Sequence, residues 1–465
     1  MNMIALLLAA VVGVCPSARA DRPMSVILVV ADDLNVDLAC YGNPTVQTPN
    51  LDRLRKASVV FDRAYCQYPL CNPSRNSFLT GRYPERIGCV KNTVHLRDHA
   101  PDATTLPQYF KQHGYTSVSC GKVFHLEDPR SWSQLCDLRT GGILAADKRP
   151  RDYQLPFDDE YRTVGEGRLI VDESVPWFRW RAVTENEDLL IDHRIATAAI
   201  NRLDELATRQ TPFFLAIGFS RPHDPYFAPK RFFDLYPLDR LELPTPPPDA
   251  TAAPDHAFNR RFMQAFDRMD RRDKLEAMRA WYAGISFMDE QLGRVLAHAR
   301  QIGALDHTVV VFMSDHGYLV GEKGYWNKGV LYDRSCRAPL LIATPGMDHA
   351  GQTAKGIVEL IDLFPTLVEL CGLPGFNELD GRSLVPMLND PTKPRPDATA
   401  YTVCNQQRSL RTQRYRIIDW GGRAGYALFD HQSDPDEHYD LASSPAHQQA
   451  LGRLIQQLEA LGVQE

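Results

Sequence analysis

Residues 25–33 read SVILVVADD, and this stretch decides the fold. Residues 25–30 form a short, continuous apolar run rich in β-branched residues, and Asp32 and Asp33 follow it. Such a run, without polar alternation, predicts a strand buried on both faces, as in a parallel sheet. Similar runs occur at residues 212–217, 308–313 and 339–343, with a weaker one at residues 116–119.

Helical patterns lie between these predicted strands. Apolar residues recur at helical spacing in residues 106–113, 192–207, 274–302 and 361–371. Strands that alternate with helices predict an α/β fold, here a large, mostly parallel sheet sandwiched by helices. Two stretches break the pattern. The proline-rich residues 243–254 predict an extended surface loop, and the largely polar residues 126–175 predict irregular structure.

The composition is that of an ordinary globular protein. The chain has 465 residues, of which 44% are hydrophobic and 24% charged, and its net charge is -6. These values exclude whole-chain disorder and coiled coil, and the charge lacks the basic footprint of a nucleic-acid binder. We therefore expect no nucleic-acid partner.

The first twenty residues predict a secretory signal peptide. Residues 4–14 are apolar, and Ala18-Arg19-Ala20 is a small-x-small cleavage pattern. The apolar run is too short to span a membrane, so an exported, periplasmic or secreted protein is expected. The chain contains no Asn-x-Ser/Thr acceptor with a permitted middle residue, which favours a bacterial source.

The predicted domains are a catalytic domain at residues 21–390 and a C-terminal α+β subdomain at residues 391–465. The proline-rich residues 389–397 form the linker between them. Residues 401–404, 415–419 and 426–429 predict a small antiparallel sheet, and residues 446–461 a terminal amphipathic helix.

Acidic residues follow two of the predicted strands. Asp32 and Asp33 come after the first strand, and Asp315 and His316 after residues 308–313. Ligands of open α/β sheets sit beyond the carboxyl ends of strands, and carboxylate oxygens suit Ca²⁺ or Mg²⁺. Either cluster alone is explained by polar turns that cap a strand, but the two together favour a metal site.

The most specific motif is Cys71-Asn72-Pro73-Ser74-Arg75, which continues to residues 79–82 (LTGR). Taken singly, the cysteine is a buried thiol or disulfide partner and the arginine a surface charge. The full spacing resembles the signature of type I sulfatases, of the alkaline-phosphatase-like superfamily. The resemblance implies that Cys71 is converted to Cα-formylglycine by a formylglycine-generating enzyme, which recognises the Cys71 to Arg75 segment.

Further segments match that family in order. The resemblance implies one Ca²⁺ ion, and its ligands are Asp32, Asp33, Cys71, Asp315 and His316. It also implies active-site roles for Lys122 and His125 in residues 121–125, His223 in residues 221–225, and Lys328 in residues 321–328. These segments resemble the iduronate-2-sulfatase branch, although Tyr318 stands where a tryptophan is expected.

The implied reaction is hydrolysis of a sulfate monoester, with a sulfated saccharide as substrate. Lys122 and Lys328 clamp sulfuryl oxygens, and Arg75 holds the hydrated aldehyde beside the metal. The hydrate supplies one hydroxyl for attack on sulfur and a second whose deprotonation lets sulfate leave by C–O cleavage. Proton transfers fall to Asp315, His125 and His223, and their division stays open.

Two alternatives remain open. A phosphodiesterase or phosphonate monoester hydrolase of the same superfamily would share much of the site, and a glycan-binding protein with a degenerate site would lack turnover. Five residues near the motifs are candidates for sugar contacts or for packing: Tyr83, His95, Arg97, Trp326 and Arg334. Eight cysteines besides Cys15 and Cys71 permit disulfides, but spacing does not pair them.

Overall fold

The computed structural model describes residues 23–144, 155–209, 211–422 and 424–461, so the predicted signal peptide lies outside the described residues. The strands are β1 (Ser25–Asp32), β2 (Val59–Tyr65), β3 (Thr116–Gly121), β4 (Gln134–Leu135), β5 (Val164–Leu169), β6 (Arg179–Glu185), β7 (Phe213–Pro222), β8 (Tyr226–Pro229), β9 (Thr308–Ser314), β10 (Arg337–Ala338), β11 (Leu340–Ala343), β12 (Thr353–Glu359), β13 (Ala400–Cys404), β14 (Gln407–Arg411), β15 (Tyr415–Asp419) and β16 (Tyr426–Asp430). The helices are α1 (Pro49–Lys56), α2 (Cys71–Thr80), α3 (Leu96–His99), α4 (Leu106–Gln112), α5 (Phe157–Glu160), α6 (Ile191–Ala207), α7 (Lys230–Phe233), α8 (Arg260–Phe266), α9 (Arg271–Gln301), α10 (Asp333–Cys336), α11 (Leu363–Leu370), α12 (Val385–Asn389) and α13 (Gln448–Leu461).

β1 lies at the centre of a nine-stranded sheet, between β7 and β9, and it is parallel to both. β3 extends the sheet beside β7, and β4 beside β3, again in parallel. Beyond β9 come the antiparallel strands β11 and β2, and β2 also pairs with β10 and β12. Every residue of β1 is buried, because both faces of a central parallel strand are covered. The predicted α/β class and mostly parallel sheet are confirmed.

Helices α6 and α9 pack on β7 and on each other. The buried residues of α6 recur every three or four positions, as in Ile191, Ile195 and Leu206, which gives it one apolar face. A capping box at Asp270 starts α9. Both predicted helices are confirmed, with ends that differ by one to three residues from the predicted ones. No helix among the described ranges is both long and apolar enough to cross a membrane.

The C-terminal sheet is an antiparallel array in the order β13, β14, β15, β16, and α13 packs on its two middle strands. β14 was not predicted, because its sequence QRSLR is too polar to show a strand pattern. The hydroxyl of Thr402 in β13 donates to the Cys66 carbonyl after β2, which ties this sheet to the large one. The division of the chain at residue 390 stays a prediction.

A third sheet contains β5, β6 and β8. The prediction that residues 126–175 are irregular is wrong at β5, which pairs antiparallel with β6. Gly165 and Gly167 interrupt the side-chain alternation that would reveal the strand, and they let the two backbones approach closely. A Cβ at Gly165 would lie 2.1 Å from the Ala182 carbonyl oxygen.

Candidate active site

The carboxyl ends of β1 and β9 meet, as predicted, at one edge of the large sheet. The strands run in register with Ala31 beside Ser314, so the residues that follow are neighbours. The backbone N–H of Asp33 donates to Oδ1 of Asp315 at 3.3 Å. Asp33 adopts the left-handed region, with φ 66°, a conformation that is uncommon for a side chain outside functional turns. All of these polar groups are buried.

Cys71 lies above these strand ends, as the first residue of α2. Its Sγ is 4.0 Å from Oδ1 of Asp33. One donor atom from each of Asp32, Asp33, Cys71 and His316 falls within 4.8 Å of the others. The start of a helix favours negative charge, which suits a nucleophile or a bound anion at this position. Ser74, one turn later, anchors the helix by donating to the Asp315 carbonyl.

Arg75 joins four segments of the site. Its Nε donates to Oδ2 of Asp315 at 2.9 Å, and its Nη2 lies 3.2 Å from Oδ1 of Asp32. Its Nη1 donates to the carbonyls of Lys122 and Val123. The guanidinium is fully buried, so its role is to cross-link the strand ends rather than to meet solvent.

Two lysines bring positive charge to the carboxylates. The Lys122 ammonium pairs with Asp32, and the Lys328 ammonium pairs with Asp33. Burial lowers the pKa of Lys122, but the charges of Asp32 and Cys71 together outweigh burial, so the net shift of that pKa is upward. The pKa of Lys328 rises well above its usual value in the same way, beside Asp33. Both side chains are therefore cations at neutral pH, which suits them to bind anionic oxygens.

Three histidines surround Cys71. His223 places Nε2 3.8 Å from Oδ2 of Asp33, and His316 places Nε2 3.5 Å from Oδ1 of the same residue. Burial lowers the pKa of both rings, but neighbouring carboxylates raise it to about 9. Burial lowers the pKa of His125, whose contact with Cys71 offsets part of that effect. All catalytic and metal-binding candidates of the sequence analysis thus meet at one place.

Burial and neighbouring charges also shift the pKa values of Asp315 and Cys71. Burial raises the pKa of Asp315 to about 7, although Arg75 opposes the shift. Burial also raises the pKa of the Cys71 thiol, but Lys122 and Lys328 outweigh it and hold that pKa well below its usual value. The positive charges of Lys122 and Lys328 therefore favour an anion at the position of the Cys71 side chain.

The donor set fits a hard divalent cation. Asp32 Oδ1, Asp33 Oδ2 and His316 Nε2 are buried and make no hydrogen bond among the described residues. His316 is oriented by its Nδ1, which lies 2.8 Å from the Gly317 carbonyl oxygen, so that Nε2 faces the carboxylates. Clustered carboxylate oxygens that lack hydrogen-bond partners are suited to Ca²⁺ coordination.

A disulfide joins Cys120 to Cys136. Cys120 belongs to β3 and comes two residues before Lys122, so the bond braces the strand end that carries Lys122 and His125. The sequence left this pairing open. The other described cysteines, Cys71 among them, form no disulfide.

A pocket of about 620 Å³ opens from the site. It is lined by His223, Asp224 and Lys328 at the site. Further lining residues come from six segments of the chain, namely Tyr68, Leu70, Asn92, Trp177, His256, Ala257, Phe258, Asn259, Phe262, Tyr325, Asn327, Gly329, Cys404, Asn405 and Gln407. The sequence analysis did not identify Asp224, although it lies in the quoted segment 221–225. Cys404, Asn405 and Gln407 of the β13–β14 hairpin could not be identified from the sequence, because hairpin tips carry no motif.

The five candidate sugar contacts do not line this pocket. Tyr83 donates to Glu359, the His95 ring contacts the Glu127 carbonyl, and Arg97 pairs with Asp128. Trp326 is buried, and Arg334 pairs with Asp37. These side chains stabilise the protein around the site instead of facing its opening.

Comparison with known proteins shows the family to which the chain belongs. A family model described as Sulfatase matches residues 25–373, which is more than half of the chain. The chain belongs to the sulfatase family. A second model, described as N-sulphoglucosamine sulphohydrolase, C-terminal, matches residues 321–464 of this sulfatase. The protein is thus a sulfuric ester hydrolase of the type I, alkaline-phosphatase-like group.

Relatives cover most of this sulfatase. A sulfatase of Formosa agariphila is 31% identical over 442 residues, covering 92% of this chain and 84% of the relative. Iduronate 2-sulfatase of Mus musculus is 31% identical over 404 residues, covering 76% of this chain and 70% of the relative. The structure of a phosphonate monoester hydrolase from Silicibacter pomeroyi superposes with a TM-score of 0.77 at 22% identity, covering 94% of each chain. That last likeness shows the fold alone.

Proposed function

We propose that this sulfatase hydrolyses a sulfate monoester of a sugar, with formylglycine at position 71 as the source of the nucleophile and Ca²⁺ as the metal. The position of Cys71 carries this proposal. Its sulfur lies 4.0 Å from a carboxylate of the metal-binding candidates, and two lysines and three histidines surround it. A thiol alone does not need this arrangement, whereas a nucleophile that attacks an anionic ester does.

Formylglycine is supported by the motif from Cys71 to Arg75 and by membership of the sulfatase family. A formylglycine-generating enzyme would act on this segment during maturation and export. The hydrated aldehyde supplies two hydroxyls on one carbon, one for attack and one for release of sulfate. The predicted signal peptide agrees with export, and both features belong to this proposal.

Asp32, Asp33, Asp315 and His316 would hold the calcium ion, next to residue 71. Bound there, the ion polarises sulfuryl oxygens as a Lewis acid. Arg75 keeps Asp32 and Asp315 in place through its two ion pairs. The Lys122 ammonium pairs with Asp32, and the Lys328 ammonium pairs with Asp33. Both ammonium groups would bind the remaining sulfuryl oxygens.

Proton transfers divide by position. His223 lines the pocket together with Lys328, so it faces the sugar and would protonate the departing alcohol. His125 contacts the side chain of residue 71 but does not line the pocket, so it would take a proton from the hydrate. Asp315 would be the base for the attacking hydroxyl, because Arg75 holds its carboxylate in place and the charge of residue 71 raises its pKa, which indicates that the two groups are close.

A sugar substrate is supported by the relatives and by the pocket. The mouse relative is named for its action on iduronate 2-sulfate, and the sequence of this chain is iduronate-2-sulfatase-like. The pocket volume of about 620 Å³ lies in the range of sites for small organic ligands.

The test combines mass spectrometry with one substitution. The Cys71 peptide of protein from the native host is expected to carry the aldehyde, and Cys71→Ser is expected to keep the fold but lose nearly all turnover of 4-nitrophenyl sulfate. A serine hydroxyl lacks the second hydroxyl needed for release. Near wild-type turnover by Cys71→Ser would contradict the hydrate mechanism. An unmodified thiol with no turnover would favour a glycan-binding protein, and faster hydrolysis of an aryl phosphodiester than of the aryl sulfate would favour a phosphodiesterase.

A further inference from the structure

We infer that the pocket accepts an uncharged sugar ring and excludes a uronate, and that Trp177, Phe258 and Asn405 determine this specificity. The inference rests on the proposed function and concerns the alcohol part of the same ester. It separates this chain from the relative named for iduronate, at the level of the residues that line the pocket.

The charge of the pocket opposes a second anion. Asp224 lines it beside His223, and Oδ1 of Asp224 lies 3.5 Å from Nδ1 of His223. The only lysine or arginine of the described lining is Lys328, which already pairs with Asp33. A sugar carboxylate here would lose its hydration and approach Asp224, and the two cations beside it, Lys328 and His223, already pair with Asp33 and Asp224, whereas an uncharged ring avoids this cost.

One wall of the pocket is aromatic. Phe258 packs against Tyr325, with ring centroids 4.9 Å apart, and is stacked near Tyr332. Trp177 meets Phe262 edge to face, with centroids 6.1 Å apart. Trp177 and Phe258 are both half-buried, and both line the pocket. Fixed rings of this kind offer apolar area to the C–H face of a sugar ring at little cost in conformational entropy.

A second wall of the pocket carries amides. Asn405 stands at the tip of the β13–β14 hairpin with φ 57°, and its N–H donates to the Tyr68 hydroxyl at 2.8 Å. Gln407 of the same hairpin donates to the His256 carbonyl at 3.0 Å, which fixes the hairpin against the segment of Phe258. Amides both donate and accept hydrogen bonds, as sugar hydroxyls do, so this wall complements an uncharged, hydroxyl-rich ring.

The experiment compares kcat/KM for four classes of ester with the mature full-length enzyme: 4-nitrophenyl sulfate, monosulfated galactose and N-acetylhexosamines, a uronate 2-sulfate, and choline sulfate. At least one uncharged sugar sulfate is expected to exceed the uronate ester and choline sulfate about tenfold or more. A uronate ester or choline sulfate that equals or exceeds every uncharged sugar would overturn the inference. Loss of all sulfate ester turnover, aryl sulfate included, would instead overturn the proposed function.

Variants test the named residues. Trp177→Ala and Phe258→Ala are each expected to raise KM for the sugar about tenfold with a smaller change in kcat, and Trp177→Phe is expected to restore most of the loss. Leu235→Ala, an exposed apolar residue outside the pocket, is the control. Asn405→Arg adds a cation at the exposed hairpin tip and is expected to raise kcat/KM for the uronate ester relative to the uncharged sugar, whereas Asn405→Gln is not. Unchanged sugar KM in both alanine variants, or no shift in the Asn405→Arg ratio, would contradict these roles.

Discussion

The residues proposed to hold the metal show why a cation would be favoured at this site. Asp32, Asp33 and Asp315 are buried together, and Arg75 with two lysines supplies most of the compensating charge. Oδ1 of Asp32 and Oδ2 of Asp33 make no hydrogen bond among the described residues, and Asp32 and Asp33 each bring one oxygen within 4.8 Å of Cys71 and His316. A divalent ion there would satisfy these oxygens and lower the cost of burying like charges.

Calcium is therefore expected to stabilise the folded protein independently of turnover. Adding Ca²⁺ to chelator-treated, full-length protein should raise Tm, because an ion that binds only the folded state adds about 2.7 kcal/mol at a hundredfold excess over Kd. Calorimetry measures the shift, and Asp33→Asn should remove most of it. Asp239→Asn, at an exposed carboxylate remote from the site, is the control. An equal calcium shift in wild type and Asp33→Asn would argue against this metal site.

Among the elements, β3 and β7 position Lys122, because their backbones approach each other closely at two glycines. Gly121 lies beside Gly218 in the parallel pair, and the N–H of Lys122 donates to the Gly218 carbonyl at 2.8 Å. A Cβ at Gly218 would lie 2.1 Å from the Lys122 carbonyl carbon and oxygen. These atoms are backbone and cannot rotate away, so the glycine allows Lys122 to reach Asp32.

Gly218→Ala is thus expected to displace Lys122 and to lower kcat/KM for a sulfate ester about a hundredfold, the usual effect of a displacement near 1 Å in an active site. Steady-state kinetics and Tm measure the two consequences. The matched control is Gly452→Ala in α13, where a Cβ meets no atom within 4 Å and stability should be unchanged or slightly higher. Equal activity in the two variants would show that the close approach does not matter.

At the scale of the whole molecule, a buried charge network joins the C-terminal sheet to the segment after Lys328. Arg416 of β15 lies 2.7 Å from both Asp333 at the start of α10 and Glu437 beyond β16. Burial raises the pKa of Asp333, but His431, Arg416, Arg337 and Arg411 outweigh it and hold that pKa well below the usual range. The ion pairs of Arg416 and Arg411 with Asp333 therefore connect the two parts of the chain.

Removing the Arg416 guanidinium should weaken the contact between these two parts of the chain and lower the stability of the protein. Arg416→Met leaves Asp333 and Glu437 buried without their main cation, which costs about 3–5 kcal/mol and lowers Tm. Because the folded pKa of Asp333 is depressed, its contribution is present above the unfolded pKa, near 3.9, and is lost as pH falls below it. The difference in Tm between wild type and Arg416→Met should accordingly shrink as the pH is lowered from 7 towards 3.

Arg414→Met provides the comparison for that experiment. Arg414 is half exposed and pairs with Asp430 near the same strand, and a solvent-exposed pair of this kind contributes little to stability. Calorimetric scans at several pH values follow both variants. A loss of Tm in Arg416→Met that is no larger than in Arg414→Met, or that is the same at every pH, would contradict a structural role for the network.

The sequence by itself determined the chemistry and the main sheet. The run before Asp32 could belong only to a covered strand, because burial on both faces requires unbroken apolar character. The motif from Cys71 to Arg75 is local, with one helical turn between the two residues, so its spacing is readable without the fold. Asp315 and His316 were predictable as neighbours of Asp32 because parallel strands end at the same edge of a sheet.

Only the tertiary structure decided the pocket and its surroundings. Trp177, Phe258 and Asn405 come from segments far apart in sequence, and each follows a stretch without a motif. Strand β5 escaped prediction because its glycines show no alternation, and β14 because its side chains are mostly polar. Local interactions can be read from spacing and composition, whereas a pocket lined by distant segments exists only when the fold brings those segments together.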